Sequence, residues 1–116
     1  MGTPTLSVHF YKNAAAVEPV ADWLRGMERD ARKAIGEDLK TVEFGWPLGM
    51  PLVRKLDAGL WEVRSYIPDG IARIFFTTVG SRMVLLHALI KKSDKTPKGA
   101  LALAKSRRDE VRNANR

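Results

Sequence analysis

Five short stretches of this chain either alternate apolar and polar residues or are apolar throughout. In the first, Leu6, Val8 and Phe10 alternate with polar neighbours. A period of two places successive side chains on opposite faces of a sheet, so these stretches predict strands. The predicted strands are Leu6–Tyr11, Leu52–Leu56, Leu60–Tyr66, Ile71–Val79 and Met83–Ile90. The last is apolar on both faces, which is typical of a strand covered on both sides.

Apolar residues at helical spacing mark three further segments. The first predicted helix starts near Val17 and breaks near Gly26, and the second runs from Arg29 to about Glu43. A third follows Thr96, which is expected to be its N-cap, with Pro97 at the first helical position. The stripes on which these predictions rest are Val20, Trp23, Leu24 and Met27, then Ala31, Ile35, Leu39 and Val42, and finally Leu101, Ala104, Arg108 and Val111.

The element order is strand, two helices, three or four strands, and helix. This order predicts an α+β fold with a mostly antiparallel sheet. The first two helices are expected to form an N-terminal helical hairpin whose apolar faces lie on the sheet, and the third is a C-terminal helix. Residues 1–116 are long enough for one domain with a core of its own.

The register of the hairpin around Pro68, Asp69 and Gly70 decides where two arginines point. A three-residue loop pairs Ile67 with Ile71 and leaves both faces mixed. A four-residue loop, Ile67–Gly70, pairs Tyr66 with Ile71 and sets Arg64 opposite Arg73. One face then carries Trp61, Val63, Ile74 and Phe76, and the other carries Glu62, Arg64, Tyr66, Arg73 and Thr77. The first set forms a layer of apolar side chains only, so the hydrophobic pattern favours this register. Like charges in opposite positions repel, and either Glu62 or a bound anion is expected to compensate for them.

Charge and composition narrow the possible functions. The chain carries 20 Lys and Arg against 13 Asp and Glu, a net charge of +7, with the excess mostly after Arg82. This favours an acidic partner, either nucleic acid or an acidic protein. The absence of cysteine excludes a disulfide scaffold, a thiolate zinc site and a cysteine nucleophile, and it fits a reducing cytoplasm. No apolar run approaches the ~20 residues of a membrane helix, so we expect a soluble cytoplasmic protein. Two histidines far apart in the sequence, with no cysteine, argue against a metal site, and no cofactor is expected.

Several motifs of the second half resemble the RelE/ParE superfamily of bacterial toxins, closest to its HigB-like, phage-derived branch. They are Lys55–Leu56, Leu60–Trp61–Glu62–Val63–Arg64, Arg73–Ile74–Phe75, and Leu86–His87–Ala88–Leu89–Ile90–Lys91–Lys92 leading to Lys95–Thr96–Pro97. The resemblance implies a RelE-like fold, endonucleolytic cleavage of mRNA, often on the ribosome, and neutralisation by a cognate helix-turn-helix antitoxin.

The resemblance also implies site residues. Its catalytic basic groups correspond to Arg64, Arg73 and Lys92, and Lys55, Lys91 and Lys95 are the supporting substrate-binding positions. Guanidinium groups match phosphate oxygens and suit the stabilisation of charge on phosphorus. We expect Arg73 to be an exposed cation, so that Arg73→Ala costs little stability. The antitoxin is expected on the basic surface formed by Lys91, Lys92, Lys95 and the C-terminal helix.

An alternative on the same fold is a non-catalytic nucleic-acid-binding module or a gyrase-directed toxin. Several members of the superfamily carry His or Tyr just after the last strand, where this chain has Ser93 and Asp94. That difference favours the alternative.

Other candidate residues are interpreted mainly as structural. His87 is expected to be a core or supporting residue and His9 a surface residue, while Trp23 and Trp61 belong to the core. Of the three tryptophans, only Trp46 is a candidate for contact with RNA. The cluster of Lys105, Arg107, Arg108 and Arg112 is most simply a solvated helix face.

Overall fold

The computed structural model describes residues 2–92 and 95–115, which form one five-stranded sheet and three helices. The strands are β1 (Ser7–Phe10), β2 (Val53–Asp57), β3 (Leu60–Ile67), β4 (Gly70–Val79) and β5 (Arg82–Lys91). The helices are α1 (Pro19–Arg25), α2 (Arg29–Gly45) and α3 (Lys98–Ala114). The mixed α+β class and the order of elements agree with the sequence prediction.

The strand order in the sheet is β1-β5-β4-β3-β2. Three neighbouring pairs are antiparallel, and β1 lies parallel to β5 at one edge. At that edge the end of α2 satisfies backbone donors, since Glu43 accepts hydrogen bonds at its carbonyl from the N–H groups of Thr5 and Leu6 and at Oε2 from that of Val8. The opposite edge strand, β2, carries Arg54 and Lys55.

Helices α1 and α2 cover one face of the sheet but do not form the predicted helical hairpin. Helix α1 contacts β5 and β1, whereas α2 contacts β3 and β1. Each of these two helices is in closer contact with the sheet than with its neighbouring helix. Buried Ser65 of β3 donates a 2.5 Å hydrogen bond to Asp38 of α2, which fixes that helix over β3. The physical reason is length: α1 has seven residues, too few for an extended seam with a neighbouring helix.

The predicted register between β3 and β4 is confirmed. Arg64 lies opposite Arg73, and Tyr66 lies opposite Ile71. Ile67 also pairs with Gly70, so the connection is a two-residue turn, one pair shorter than expected. Gly70 has a φ of 140°, a conformation that side chains rarely adopt and that this turn requires. The first core, under α1 and α2, accordingly contains Val63, Ile74 and Phe76, with Trp61 packed against it.

Helix α3 covers the other face of the sheet. A second core lies between them and is formed by Tyr11, Leu60, Phe75, Val84, Leu86 and Ala104. The predicted stripe of α3 faces this core, because Ala104 is buried and both Leu101 and Val111 pack against it. The helix begins one residue later than predicted: Pro97 is the N-cap residue, and the Thr96 side chain makes no capping hydrogen bond.

Three arginines of α3 hold the helix on the sheet, so the prediction of a simply solvated face is wrong for them. Arg107 donates to the Leu86 carbonyl at 2.8 Å and lies over the Tyr11 ring. Arg108 donates from Nη1 to Asp57 Oδ2 at 2.6 Å and to the Ala58 carbonyl at 2.8 Å. Arg112 donates to the Thr78 carbonyl at 2.9 Å. Much of the positive charge of α3 therefore serves the fold.

In the part of the chain that the structure describes, none of the helices is long and apolar enough to cross a membrane.

The contact between Asp57 and Arg108 predicts a pH dependence of stability. The hydrogen bond from Arg108 lowers the pKa of Asp57 below its ordinary value of 3.8. A lowered pKa in the folded state stabilises the protein above the unfolded value, and this stabilisation disappears as the pH falls through the folded pKa. We expect Asp57→Asn to lower Tm at pH 7 and to weaken the fall of Tm below pH ~4. Thermal melts from pH 2 to 7 measure this.

The matched control is Asp30→Asn at the exposed start of α2, where the same charge change should leave the acid limb of the Tm profile intact. If both variants give the wild-type profile below pH ~4, the carboxylate of Asp57 does not stabilise the fold in this way.

Candidate functional site

Cross-strand pairing arranges the face beneath α3 into three rows of side chains. The inner row contains Arg54, Glu62, Phe75 and His87. The middle row contains Arg64, Arg73 and Leu89. The outer row, next to the turn between β3 and β4, contains Tyr66, Ile71 and Lys91. Because residues of one row lie directly opposite one another, each row crosses the sheet on the same face.

The inner and middle rows meet in a buried cluster of charges. Arg73 donates from Nη1 to Glu62 Oε1 at 2.7 Å, and both side chains are fully buried. Arg64 Nε lies 3.8 Å from the same carboxylate oxygen, and Arg64 is only 6% exposed. One buried carboxylate thus faces two guanidinium groups, which offsets the repulsion between the opposed arginines. The sequence predicts that either Glu62 or a bound anion compensates for the two opposed arginines. In the structure Glu62 does so.

The expectation that Arg73 is an exposed cation is wrong, since its exposed fraction is 0%. The reason is the position of α3. Alternation along β4 predicts that Arg73 faces away from the first core, and this is correct, but it does not reveal that a second layer covers that face. Arg73 therefore supports the site from inside the protein.

Exposed side chains lie along and beyond the outer row. Tyr66 is 65% exposed, and Lys91 is partly exposed at the end of β5. Lys92 and Lys95 are exposed on either side of the gap in the described chain. Ser93 and Asp94, at which several members of the superfamily carry His or Tyr, lie outside the described residues. The structure thus places Lys91 at the end of the outer row and Lys92 directly after it, beside Gly70 at the turn between β3 and β4, while Lys95 lies beyond the gap.

Lys55 occupies a different position. It pairs with Trp61, so its Cα position alternates with that of Arg54 and belongs to the opposite face from the arginines. As a residue of the edge strand it is nevertheless exposed, and it borders a groove of about 500 Å³. The groove is lined by Arg54, Lys55, Leu56, Lys95, Thr96 and Leu101. Lys55 and Lys95 therefore share a groove at the sheet edge and flank the rows from outside.

Arg54 is a residue of this face that the sequence reasoning missed. It lies opposite Glu62 in the inner row and lines the edge groove. The predicted turn at Asp57, Ala58 and Gly59 could have identified Arg54 from the sequence. A three-residue turn there sets position 54 opposite position 62, which makes Arg54 and Glu62 a cross-strand pair of opposite charge.

Comparison with known protein families gives one match to this chain. Residues 22–109, from α1 into α3, match the family described as Phage derived protein Gp49-like (DUF891). The chain belongs to the Gp49-like family. This is a family of RelE/HigB-type toxins, so the resemblance found in the sequence is confirmed at family level. No curated protein matches the chain.

The match includes all three rows of this Gp49-like protein together with Lys92 and Lys95. The basic face is therefore part of the matched family region.

His87 has the supporting position that the sequence predicts. Its ring stacks on Phe75 with centroids 5.8 Å apart and planes 17° apart. Burial lowers the pKa of His87 below 6.5, and the positive charge of Arg107 lowers it further. The imidazole is accordingly neutral at pH 7 and packs as an aromatic ring in the inner row. His9 is exposed, as expected.

The tryptophans lie on the face opposite the arginines. Trp46 packs edge-on against Trp61 at 5.0 Å and against Phe76 at 5.5 Å, within the first core. The connector that contains it folds back onto the core, but Trp46 stays partly exposed there, so its interpretation as an RNA contact stays a prediction. Trp23 and Trp61 pack against the same core, as predicted.

Within residues 2–92 and 95–115, no group of three or more His, Asp or Glu side chains is placed to hold a metal ion. The cationic chemistry available at this face comes from Arg and Lys.

The burial of Arg73 generates a prediction about stability. Removing its charge breaks the 2.7 Å contact with the buried Glu62 carboxylate, and breaking a buried pair in this way costs about 3–5 kcal/mol. We expect Arg73→Leu to lower the free energy of unfolding by that amount. Chemical denaturation of Arg73→Leu, Glu62→Leu and the double variant measures it, and the double variant should cost less than the two single losses added together.

Arg25→Leu is the matched control, because Arg25 forms an exposed ion pair with Asp22. Exposed pairs contribute about 0–1 kcal/mol. If Arg73→Leu is no less stable than Arg25→Leu, the pair with Glu62 is not the support that the structure indicates.

Proposed function

We propose that this Gp49-like protein is the toxin of a type II toxin-antitoxin pair and cleaves mRNA without a metal ion, on the ribosome in the cytoplasm. The observation that supports this most strongly is the gradation of charge across one face. Partly exposed Lys91 ends the row next to the buried arginines, exposed Lys92 follows it, and exposed Lys95 shares the edge groove with Arg54. Such an arrangement gives a phosphate backbone a cationic path toward a fixed guanidinium group.

The chemistry requires no bound cofactor. The 2′-hydroxyl of the substrate loses its proton to a base, and its oxygen attacks the adjacent phosphorus. The bond from phosphorus to the 5′ oxygen breaks, an acid protonates that oxygen, and a 2′,3′-cyclic phosphate remains. The protein must stabilise the extra negative charge on the phosphoryl oxygens during this step, which fixed cations achieve efficiently in a site shielded from water.

The expected catalytic residues differ in how far they are exposed to solvent. Lys92 is exposed and can meet the phosphate directly, with Lys91, Lys95 and Lys55 holding the flanking backbone. Arg64 retains slight exposure and is 3.8 Å from Glu62, a looser contact than the 2.7 Å of Arg73. An incoming phosphate can therefore compete with Glu62 for Arg64. In this proposal Arg64 and Lys92 contact the scissile phosphate, and Arg73 positions Arg64 through Glu62.

The second candidate is a non-catalytic module that binds nucleic acid or acts on gyrase. The complete burial of Arg73 favours it, since one of the two expected sheet cations does not reach the surface. Both candidates use the same exposed lysines, and they differ in whether a bound RNA is cut.

Cleavage is tested by inducing the protein in cells and mapping mRNA 5′ ends. We expect new 5′ ends within translated regions for the wild type. Lys92→Ala/Lys95→Ala should reduce them about tenfold or more, because charge stabilisation at the phosphate is lost. The salt dependence of single-stranded RNA binding should also weaken, with a slope smaller by about 0.7 for each lost phosphate contact.

Lys33→Ala/Lys40→Ala removes the same charge from exposed positions of α2, on the other side of the sheet, and serves as the control. Growth arrest by the wild type without new 5′ ends would support the non-catalytic candidate. Equal cleavage by both double variants would remove Lys92 and Lys95 from the site.

The family also suggests an antitoxin partner, which we propose to be a helix-turn-helix protein. Because Arg107, Arg108 and Arg112 are engaged with the sheet, the antitoxin surface reduces to Lys91, Lys92 and Lys95 with the start of α3. An acidic segment lying there would block access to Arg64 and associate fast, since complementary charge mainly raises the association rate.

Co-expression with the adjacent gene, followed by pull-down at low and high salt, tests this surface. We expect salt-sensitive capture that Lys92→Ala/Lys95→Ala weakens and Lys33→Ala/Lys40→Ala does not. A partner that protects only the helix from Asp30 to Glu43 and leaves Lys92 accessible would show that inhibition acts at a distance.

A further inference from the structure

Tyr66 is the most exposed of the large apolar and aromatic side chains in the described residues, at 65%. It lies near the end of β3, between Ser65 and Ile67. Ile67 belongs to the first core, so Tyr66 faces the opposite way, onto the face that carries Arg64. A rigid strand thus presents an aromatic ring to solvent beside the cationic site.

The other aromatic rings on or under the sheet have partners within the fold. Trp46, Trp61 and Phe76 pack on one another, and Phe75 stacks on His87. In the described part of the chain Tyr66 makes no such ring contact. An exposed ring on a rigid strand, in the row next to two arginines, is suited to contact a ligand.

We propose that Tyr66 is a nucleobase platform, on which one base of a single-stranded RNA stacks while its phosphate reaches Arg64. The inference rests on the proposed function, since it takes RNA as the ligand. Tyr66 and Arg64 are two residues apart on one strand face, about 7 Å. A ribose can bridge such a separation between a phosphate and its base. Stacking of bases on aromatic side chains is a general device for holding single strands.

The rest of the outer row supplies the surroundings that a nucleotide needs. Buried Ile71 separates Tyr66 from Lys91, so the two side chains lie two strand spacings apart, about 10 Å. Lys91 can then hold the next phosphate along the strand while Ile71 forms an apolar floor. Cations on both sides of the ring, Arg64 and Lys91, favour an RNA over an apolar protein segment as the occupant.

The platform is expected to tolerate different bases, because every base offers a flat face for stacking. Tyr66 would therefore contribute affinity and placement of the backbone rather than recognition of one base. Its hydroxyl is not required for this role.

The experiment compares binding of short single-stranded RNAs, made non-cleavable by 2′-O-methyl groups, to the wild type, Tyr66→Ala and Tyr66→Phe. Stacking is worth about 1–3 kcal/mol for each base, so Tyr66→Ala should bind about 5- to 150-fold more weakly. Tyr66→Phe should stay close to the wild type. The slope of affinity against salt should be unchanged in both, because no phosphate contact is lost.

A set of RNAs with one abasic position each provides the decisive comparison. At one position, removal of the base should weaken wild-type binding to the level of Tyr66→Ala and leave Tyr66→Ala unaffected. Met50→Ala removes another exposed side chain, in the connector between α2 and β2, and should change nothing. Thermal melts of all variants verify the fold.

The outcomes separate this inference from the proposed function. If the wild type binds RNA and Lys92→Ala/Lys95→Ala weakens binding, while Tyr66→Ala binds as the wild type does, the platform is refuted and the proposed function stands. If the wild type binds no RNA, both fail. If Tyr66→Ala loses capture of the antitoxin but keeps RNA affinity, the ring is a protein contact and the inference is overturned.

Discussion

The carboxylate of Glu62, buried between two arginines, is the interaction on which this face of the sheet depends. Removing charged groups from water is costly, and a pair without close contact or hydrogen bonds does not recover that cost. Here the 2.7 Å bond to Arg73 and the approach of Arg64 share one carboxylate oxygen, Oε1. The opposed arginines are tolerable in this register because Glu62 lies beside them. A slip of one residue between β3 and β4 would place Arg73 on the opposite face from Glu62 and Arg64.

The two layers on either side of the sheet differ in how they are attached. Helices α1 and α2 are held mainly by apolar contact with the first core. Helix α3 adds to its smaller core three arginines that donate to backbone carbonyls or to Asp57. Much of the net charge near the C-terminus is therefore structural. Lys91, Lys92 and Lys95, around the end of β5, are among the cations that stay available to a partner.

The same division of charge bears on how a Gp49-like protein could act as a toxin. In the proposed function the exposed lysines attract a polyanion, and Arg64, held beside Glu62 and Arg73, defines one point for its phosphate. The two proposed candidates differ in whether a bound RNA is cut. Both behaviours can arise on one fold, since function resides in the site and not in the architecture.

The sequence by itself determined most of the elements, the pairing of β3 with β4 and the faces of their residues, because all of these follow from local periodicity and turn chemistry. Alternation around the turn at Pro68, Asp69 and Gly70 was sufficient to set Arg64 opposite Arg73 and to place Trp61 at the first core.

Only the tertiary structure decided what covers each face. A stripe on α1, α2 or α3 indicates that the helix is buried on one side, but it does not identify the surface that buries it. For that reason the helical hairpin and the exposure of Arg73 were predicted incorrectly. The burial of the arginine cluster and the exposure of Tyr66 beside it depend on how layers distant in sequence pack, which no local pattern encodes.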